Sequence, residues 1–443
     1  KNKHKNKLST LYIMELIVEN RDKQQKPQQK TPELIGKGSY GCVFYPGIAC
    51  SGKPETVQYV TKVQKDSKET DHEKAVGDHI RKKRFPKYYD YFAPVMSTCP
   101  LKMASIKKDD INQCEVLQNA DHQQDQQQTD LTHTNPFVSI KIRYVGNQTL
   151  KEHLMQRLLK DTPTFFGHMI ETQLYLLNSL EKLEKAKVIH YDLKSNNIMF
   201  HEKIQNPVII DFGMSILLEK LPMEQYHHTF FDHYEKYPPW CPDIMLISFV
   251  VKDKGWMKTK VTKDTITNMN QLIETYFAEN PSIKPTEQTE QTKQTKQIKQ
   301  YWKTWISTFE NKNKTSMAKQ LLENWQSWDT YSLVVIYYRF MKENVQMEAQ
   351  APFVNTYMKM HETYILSKPT ERQSPKAMYH VLKKFSKSID RKDFLKWNKS
   401  FVEYQKKPDV IDAEKESIKK DLEENKKAEN ILLQKKHEKS QEH

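Results

Sequence analysis

Three of the chain's ten glycines fall within six residues: Gly36, Gly38 and Gly41, in the string I-G-K-G-S-Y-G-C-V-F from Ile35 to Phe44. Glycines at this spacing let backbone N–H groups come close to phosphate oxygens, because no Cβ blocks the approach or the unusual dihedrals. A tight hairpin turn would use the same residues and bind nothing. The residues after the glycines narrow the choice. A dinucleotide-binding loop of similar pattern opens a helix, whereas Cys42-Val43-Phe44-Tyr45-Pro46 has the content of a strand. The glycines therefore join two strands.

The rest of the chain extends that beginning. Short alternating runs at 34–44, 57–63, 91–96 and 137–144 predict a small antiparallel sheet. After Gly146 the period becomes helical, with Phe166, Met169, Ile170, Leu174, Leu177 and Leu180 on one face of a long helix and further helical segments beyond. Strands first and helices afterwards is an α+β order with two lobes, over about 31–145 and 146–405. Residues 1–30 and the stretch around 123–128 are too polar to offset their ordering entropy and read as disordered. Met14 offers a start, so the first thirteen residues carry no argument about fold. The stretch 286–300 (T-E-Q-T-E-Q-T-K-Q-T-K-Q-I-K-Q) repeats Gln every third residue, a period of neither helix nor strand, and reads as an inserted linker. Polar insertions are thus expected at about 103–135 and 244–326, and a charged tail at 406–443.

Composition sets outer limits. At 443 residues and 37% apolar content the chain can bury a sizeable core beside much solvated chain. Its net charge of +14 would attract phosphates, acidic substrates or anionic surfaces without naming a partner. The five cysteines are odd in number, scattered and free of any C-x-x-C pair, which argues against a disulfide framework and a zinc ribbon alike. No apolar run approaches the ~18 residues of a membrane span. These features predict a soluble protein of a reducing, cytoplasmic compartment with no membrane partner.

The most specific strings are V-I-H-Y-D-L-K-S-N-N-I-M-F at 188–200 and V-I-I-D-F-G at 208–213, with Asp192 and Asp211 nineteen residues apart. They resemble the catalytic loop H-R-D-L-K-x-x-N and the D-F-G metal motif of protein kinases, in the right order, and the glycines match the kinase pattern G-x-G-x-x-G-x-V. The resemblance implies a bilobal protein-kinase-like fold, with a small antiparallel N-lobe sheet, one main N-lobe helix and a larger helical C-lobe. It also implies roles. Asp192 would orient the acceptor hydroxyl and take its proton, Lys194 would lie against the γ-phosphate, and Asn197 with Asp211 would bind Mg2+. Lys62, in V-Q-Y-V-T-K-V, would reach the α and β phosphates of ATP, steadied by Glu73 in H-E-K-A-V-G-D-H-I. The residues from Ile35 through Gly36, Gly38, Ser39, Tyr40 and Gly41 would cover the nucleotide, with Val43, Val60 and Met199 against its adenine. For Lys62 the plain alternative is a solvated edge charge, for Glu73 a surface glutamate, and for the last three residues an ordinary core.

Further strings extend the resemblance over about Leu34 to Phe385. Y-P-P-W-C-P-D stands where the family has A-P-E, making Asp243 the nearest equivalent of its glutamate and Arg372 the expected ion-pair partner. S-W-D-T-Y-S-L resembles the helix in which Asp329 would bond back to the catalytic-loop backbone. Together with G-S-Y-G-C-V-F and K-Y-Y-D-Y-F-A-P-V-M-S-T-C-P, these are similar to serine/threonine kinases of giant nucleocytoplasmic large DNA viruses. D-L-K is the serine/threonine form, implying protein substrates phosphorylated on Ser or Thr, and the viral resemblance would imply localisation in host cytoplasm or a virion. One departure matters: Tyr191 replaces the H-R-D arginine that grips an activation-loop phosphate, so dependence on that route is not expected, although Ser215 and Thr229 lie in the segment. Three other readings stay open: a pseudokinase serving as a scaffold, a small-molecule phosphotransferase, and nucleic-acid binding through the positive charge. The intact Lys62, Asp192, Asn197 and Asp211 weigh against the first, Asp329 and Arg372 against the second, and the lack of a base-stacking motif against the third. Oligomeric state is not legible.

Overall fold

The computed structural model describes residues 31–38, 41–83, 85–118, 136–201, 205–230, 239–280, 290–345, 351–405 and 423. In chain order it begins with β1 (Glu33–Gly38), β2 (Gly41–Tyr45), β3 (Tyr59–Lys65), helix α1 (Lys68–Lys82), β4 (Phe92–Ala93), β5 (Val95–Pro100) and β6 (Phe137–Arg143). It continues with α2 (Leu150–Lys160), α3 (Thr162–Lys185), β7 (Val188–Ile189), β8 (Ile198–Phe200), β9 (Pro207–Ile210), β10 (Ile216–Leu217) and α4 (Pro242–Val251). Helices then dominate: α5 (Lys263–Glu279), α6 (Glu290–Ser307), α7 (Lys314–Leu322), α8 (Trp328–Asn344), α9 (Pro352–Ile365), α10 (Pro375–Ser388) and α11 (Arg391–Gln405). The fold is α+β, a small antiparallel sheet followed by a mainly helical part. The segments expected to be disordered at 1–30 and 123–128, and the charged tail expected at 406–443, lie outside the described residues, apart from Glu423.

The chain divides into two compact units: residues 1–65 with 98–144, and residues 66–97 with 145–443. Helix α1 thus clusters with the second unit, although the sequence suggested it as the helix of a sheet lobe.

In the first unit β1, β2, β3 and β6 pair in that order, with the end of β5 beside β6. The β1–β2 register slips between Leu34 and Gly36, leaving Ile35 as an extra, exposed residue, and closes on Gly38 opposite Gly41. Gly41 has a steric reason: a Cβ there would collide with the Val63 carbonyl. Side chains alternate faces along each strand. Cys42, paired with Val63, and Phe44 point to one face, and that apolar surface has to be covered. Leu101, Ile106, Cys114 and Leu117 cover it, all buried in one cluster with Cys42, Phe44, Ile48, Val63 and Phe137. The start of the expected polar insertion is therefore part of a core.

Two disulfides fix this arrangement, Cys42–Cys114 and Cys50–Cys99, with Cα–Cα distances of 6.0 and 5.8 Å, while Cys241 remains a buried thiol. This overturns the sequence-based expectation of a disulfide-free chain. Spacing along the chain misled because the partners are 72 and 49 residues apart and only the folded sheet brings them together.

The second unit packs around α3, whose Phe166, Met169, Ile170, Leu177 and Leu180 are buried with Leu174 partly so. Helix α1 joins this core through Val76 and Ile80, and Gly77 lets it press against the Val95 carbonyl, where a Cβ would clash. The expected linker at 286–300 is corrected from Glu290 onward, where it enters α6. Its Gln, Lys and Glu are good helix formers, and Ile298, Trp302 and Ile306 arrive at i, i+4, i+8 to be buried. Lys299 and Lys303 hold the two oxygens of Glu274 on α5 at 2.7 and 2.6 Å. Among the described residues no helix is long and apolar enough to cross a membrane.

Candidate functional site

In the second unit, two short β pairings position the site. Strand β7 pairs with β10, and β8 pairs with β9, setting Ile198 opposite Ile209. Asn197 and Asp211 sit just outside that ladder, and the register brings them to the same end of the hairpin. Asp192 lies on the connection from β7 to β8, whose last three residues, Ser195–Asn197, form a tight turn. This connection is buried around its polar groups: His190, Asp192, Lys194 and Asn197 are each less than a tenth exposed.

Hydrogen bonds hold those groups in place. The Asn197 amide donates to the Asp192 backbone carbonyl at 2.8 Å and to Asp192 Oδ2 at 2.9 Å. Lys194 Nζ lies 3.2 Å from the same carboxylate oxygen. With its nitrogen committed to Asp192, Asn197 has its carbonyl oxygen to offer a cation. Asp211 adopts a left-handed φ of 57°, and its Oδ1 accepts the Gly213 N–H at 3.4 Å. Glu73 of α1 is buried beside this turn, its Oε2 3.7 Å from where a Cβ on Gly213 would stand, so a glycine there leaves room for both carboxylates.

Beneath the loop, Asp329 at the start of α8 receives two successive backbone amides, His190 N–H at 2.7 Å and Tyr191 N–H at 3.0 Å. Burial raises the Asp329 pKa, opposed by the nearby His190 ring and those two amides. The His190 ring also bonds the Ile210 carbonyl at 2.9 Å and meets the edge of Phe212 at 5.1 Å, tying the Asp192 loop to the Asp211 turn. Sequence reasoning assigned His190 no task; its signal was its place between an apolar strand and the polar run. Tyr191, at φ 70°, is a core aromatic against Trp240 and Phe230, and its carbonyl accepts from Trp240 Nε1 at 2.8 Å.

A second buried contact lies farther along. Arg372 Nη1 donates to Asp243 Oδ2 at 2.6 Å, with both side chains almost wholly enclosed. Burial works against the guanidinium's charge, yet Asp243 beside it holds the Arg372 pKa above its ordinary value. Burial, reinforced by Asp243, pushes the neighbouring Cys241 thiol up, so it stays protonated. Tyr276 hydroxyl donates to the Trp240 carbonyl and pairs with Tyr331 hydroxyl, both at 2.8 Å.

In the first unit, Lys62 stands opposite Val43 on β2 and Ile140 on β6. Gly36 is also paired with Val43, and Val60 lies two residues before Lys62, so these four share the sheet face away from the disulfide-bonded cover. Ser39 and Tyr40 lie outside the described residues. Met199, on β8 of the second unit, is half-buried and bridges to Thr149.

Among the described residues no three His, Cys, Asp or Glu side chains gather as a metal cage. Asp211 and Asn197 could offer one carboxylate and one amide oxygen, the donor type that hard divalent cations take. A scan against models of protein families finds no family that matches, and a search of curated proteins finds no relative.

Proposed function

We propose that this chain is an ATP-dependent serine/threonine protein kinase of bilobal, protein-kinase-like fold, transferring the γ-phosphate of Mg·ATP to hydroxyl groups of protein substrates. The observation that carries the reading is the double hydrogen bond from His190 and Tyr191 to Asp329, which braces the loop bearing Asp192, Lys194 and Asn197 from below. Phosphoryl transfer asks a protein for positioning and charge stabilisation more than for covalent chemistry, and a preorganised loop supplies that.

In this reading Asp192, held by Asn197 and Lys194, receives the acceptor hydroxyl and takes its proton. Lys194 offsets charge on the transferring group. Asn197 and Asp211 would hold Mg2+, which when bound neutralises charge across the phosphates. Lys62, with Gly36, Gly38 and Gly41, engages the nucleotide phosphates, and Val43 and Val60 on the same sheet face take the adenine. The D-L-K string supports Ser/Thr acceptors.

Activity without activation-segment phosphorylation is part of the proposal. What supports this is that Tyr191 is a packed core aromatic and Ser215 is buried with its hydroxyl on the His190 carbonyl at 3.2 Å, while Thr229 is half-buried. The cysteine argument for a reducing compartment falls with the two disulfides, so location is left to experiment.

The test is transfer of labelled phosphate from Mg·ATP to generic proteins by wild type, Asp211→Asn and Lys62→Met. The reading expects transfer by wild type, its loss in both variants, phosphoserine or phosphothreonine as product, and unchanged rates after phosphatase treatment. A folded wild type that binds ATP and transfers nothing would overturn it in favour of a scaffold.

A further inference from the structure

Two histidines of α1, His72 and His79, reach backbone carbonyls at the ribbon formed by β7 and β10, all within the second unit. His72 Nε2 donates to the Ser215 carbonyl at 2.6 Å, and His79 Nε2 to the Ala186 carbonyl at 2.8 Å. A carbonyl only accepts, so each ring carries a proton at Nε2. Seven residues make about two helical turns, ~10 Å at 1.5 Å per residue, which puts both rings on one side of α1. The acceptors match that span. Ser215 immediately precedes β10 and Ala186 lies two residues before β7, and because the strands run antiparallel the two carbonyls stand at opposite ends of the ribbon. Between the rings Val76 is buried in the core, and past the helix end Lys83 pairs with Glu219 at 2.9 Å.

Ser215 is the more consequential acceptor. Its own N–H donates to the Phe212 carbonyl at 3.1 Å, and its hydroxyl to the His190 carbonyl at 3.2 Å. One residue thus ties together the turn that carries Asp211, the loop that carries Asp192 and, through His72, the helix that carries Glu73. His72 directly precedes Glu73, so a slip of the helix at this contact moves Glu73 from its buried place beside Gly213.

We propose that His72 and His79 are positioning residues that clamp α1 along the β7–β10 ribbon and so hold Glu73 at the Asp211 turn without a phosphorylated activation segment. The inference rests on the kinase reading and gives that site its means of staying assembled. In that reading Glu73 steadies Lys62, so the placing of the nucleotide phosphates depends on where α1 lies. Both histidines act through the backbone they grip, not on the reacting atoms. His72 carries the greater part, because its acceptor belongs to the turn itself, and His79 fixes the far end of the helix.

The test compares wild type with His72→Ala, His72→Gln, His79→Ala and the double variant His72→Ala/His79→Ala, in phosphate transfer from Mg·ATP to a generic protein and in amide hydrogen exchange of residues 68–82 and 212–217. His72→Ala should lower kcat about tenfold, the size that one lost hydrogen bond allows, with the KM for the protein substrate unchanged. His72→Gln, whose amide N–H can donate to the same carbonyl, should recover most of that loss. His79→Ala should cost less, and the double variant more than either single one. Exchange should quicken in both segments of His72→Ala and stay near the wild-type rate in His72→Gln. His72 is an exposed residue, so its single variants keep the test valid if the double one fails to fold. Unchanged kcat in His72→Ala, a loss that Gln does not recover, or exchange that does not respond would overturn the inference while leaving the kinase reading standing. No transfer by folded, ATP-binding wild type would overturn both.

Discussion

The Asp329 carboxylate closes two hydrogen bonds at once, accepting the His190 N–H with one oxygen and the Tyr191 N–H with the other. Two amides that point away from any strand partner are thereby satisfied inside the core. Asp329→Asn would turn an NH2 group toward one of those donors. Losing a charged acceptor and leaving a buried N–H unpaired costs about 2–4 kcal/mol. Urea denaturation should show that loss, and under the proposed function phosphate transfer should fall as well, because the displaced loop carries Asp192.

Asp243 and Arg372 make a different kind of contact, one in which each charge is tolerable only because of the other. Removing either partner should cost about 3–5 kcal/mol, since the survivor is left charged in an apolar setting. The double variant Asp243→Asn/Arg372→Met should lose less than the sum of the two single losses. A double-mutant cycle by chemical denaturation checks this, and simple additivity would count against the coupling.

What could be read from the sequence depended on how local each relationship is. The long α3 face announced itself through Phe166, Met169 and Leu177, and the strands through alternation, because period alone sets burial there. Asp192 and Asn197 bond across five residues, and Asn197 and Asp211 bracket one hairpin, so short strings were enough to flag them. Cys42 and Cys114, in contrast, meet only after residues from Leu101 onward have folded over the sheet. The Gln-rich stretch before Ile298 misled because good helix formers without an apolar period become helical only once Trp302 and Ile306 have a core to enter. His72 and His79 reach carbonyls 143 and 107 residues along the chain, and no local pattern announces that clamp.

The Cys42–Cys114 link closes a 72-residue separation, a constraint worth about 4 kcal/mol by loop-closure entropy. Reduction, or the Cys42→Ser/Cys114→Ser variant, should therefore loosen the cover formed by Ile106 and Leu117. Limited proteolysis should cut residues 103–118 faster in the reduced protein than in the oxidised one. Equal cutting would mean that packing alone holds the cover.

His361 supplies the pH test. It is fully buried on α9, its Nδ1 donating to the Tyr357 carbonyl at 2.9 Å and its Nε2 taking the Gln173 amide at 2.8 Å. Tyr357 hydroxyl in turn donates to Gln173 Oε1 at 2.7 Å, so the neutral ring fits a closed set of donors and acceptors. A proton on Nε2 would face the Gln173 NH2 group. Burial accordingly lowers the pKa from 6.5 to about 4, with the Tyr357 carbonyl pulling weakly the other way. Below 6.5 the unfolded chain binds a proton here that the folded chain refuses, so this residue's contribution is intact above pH 6.5 and is lost as pH falls toward 4. The full loss is about 3 kcal/mol. Urea midpoints at pH 7.5, 6 and 5 should converge between wild type and His361→Gln as pH drops, and a constant gap would show that the ring takes up its proton without cost.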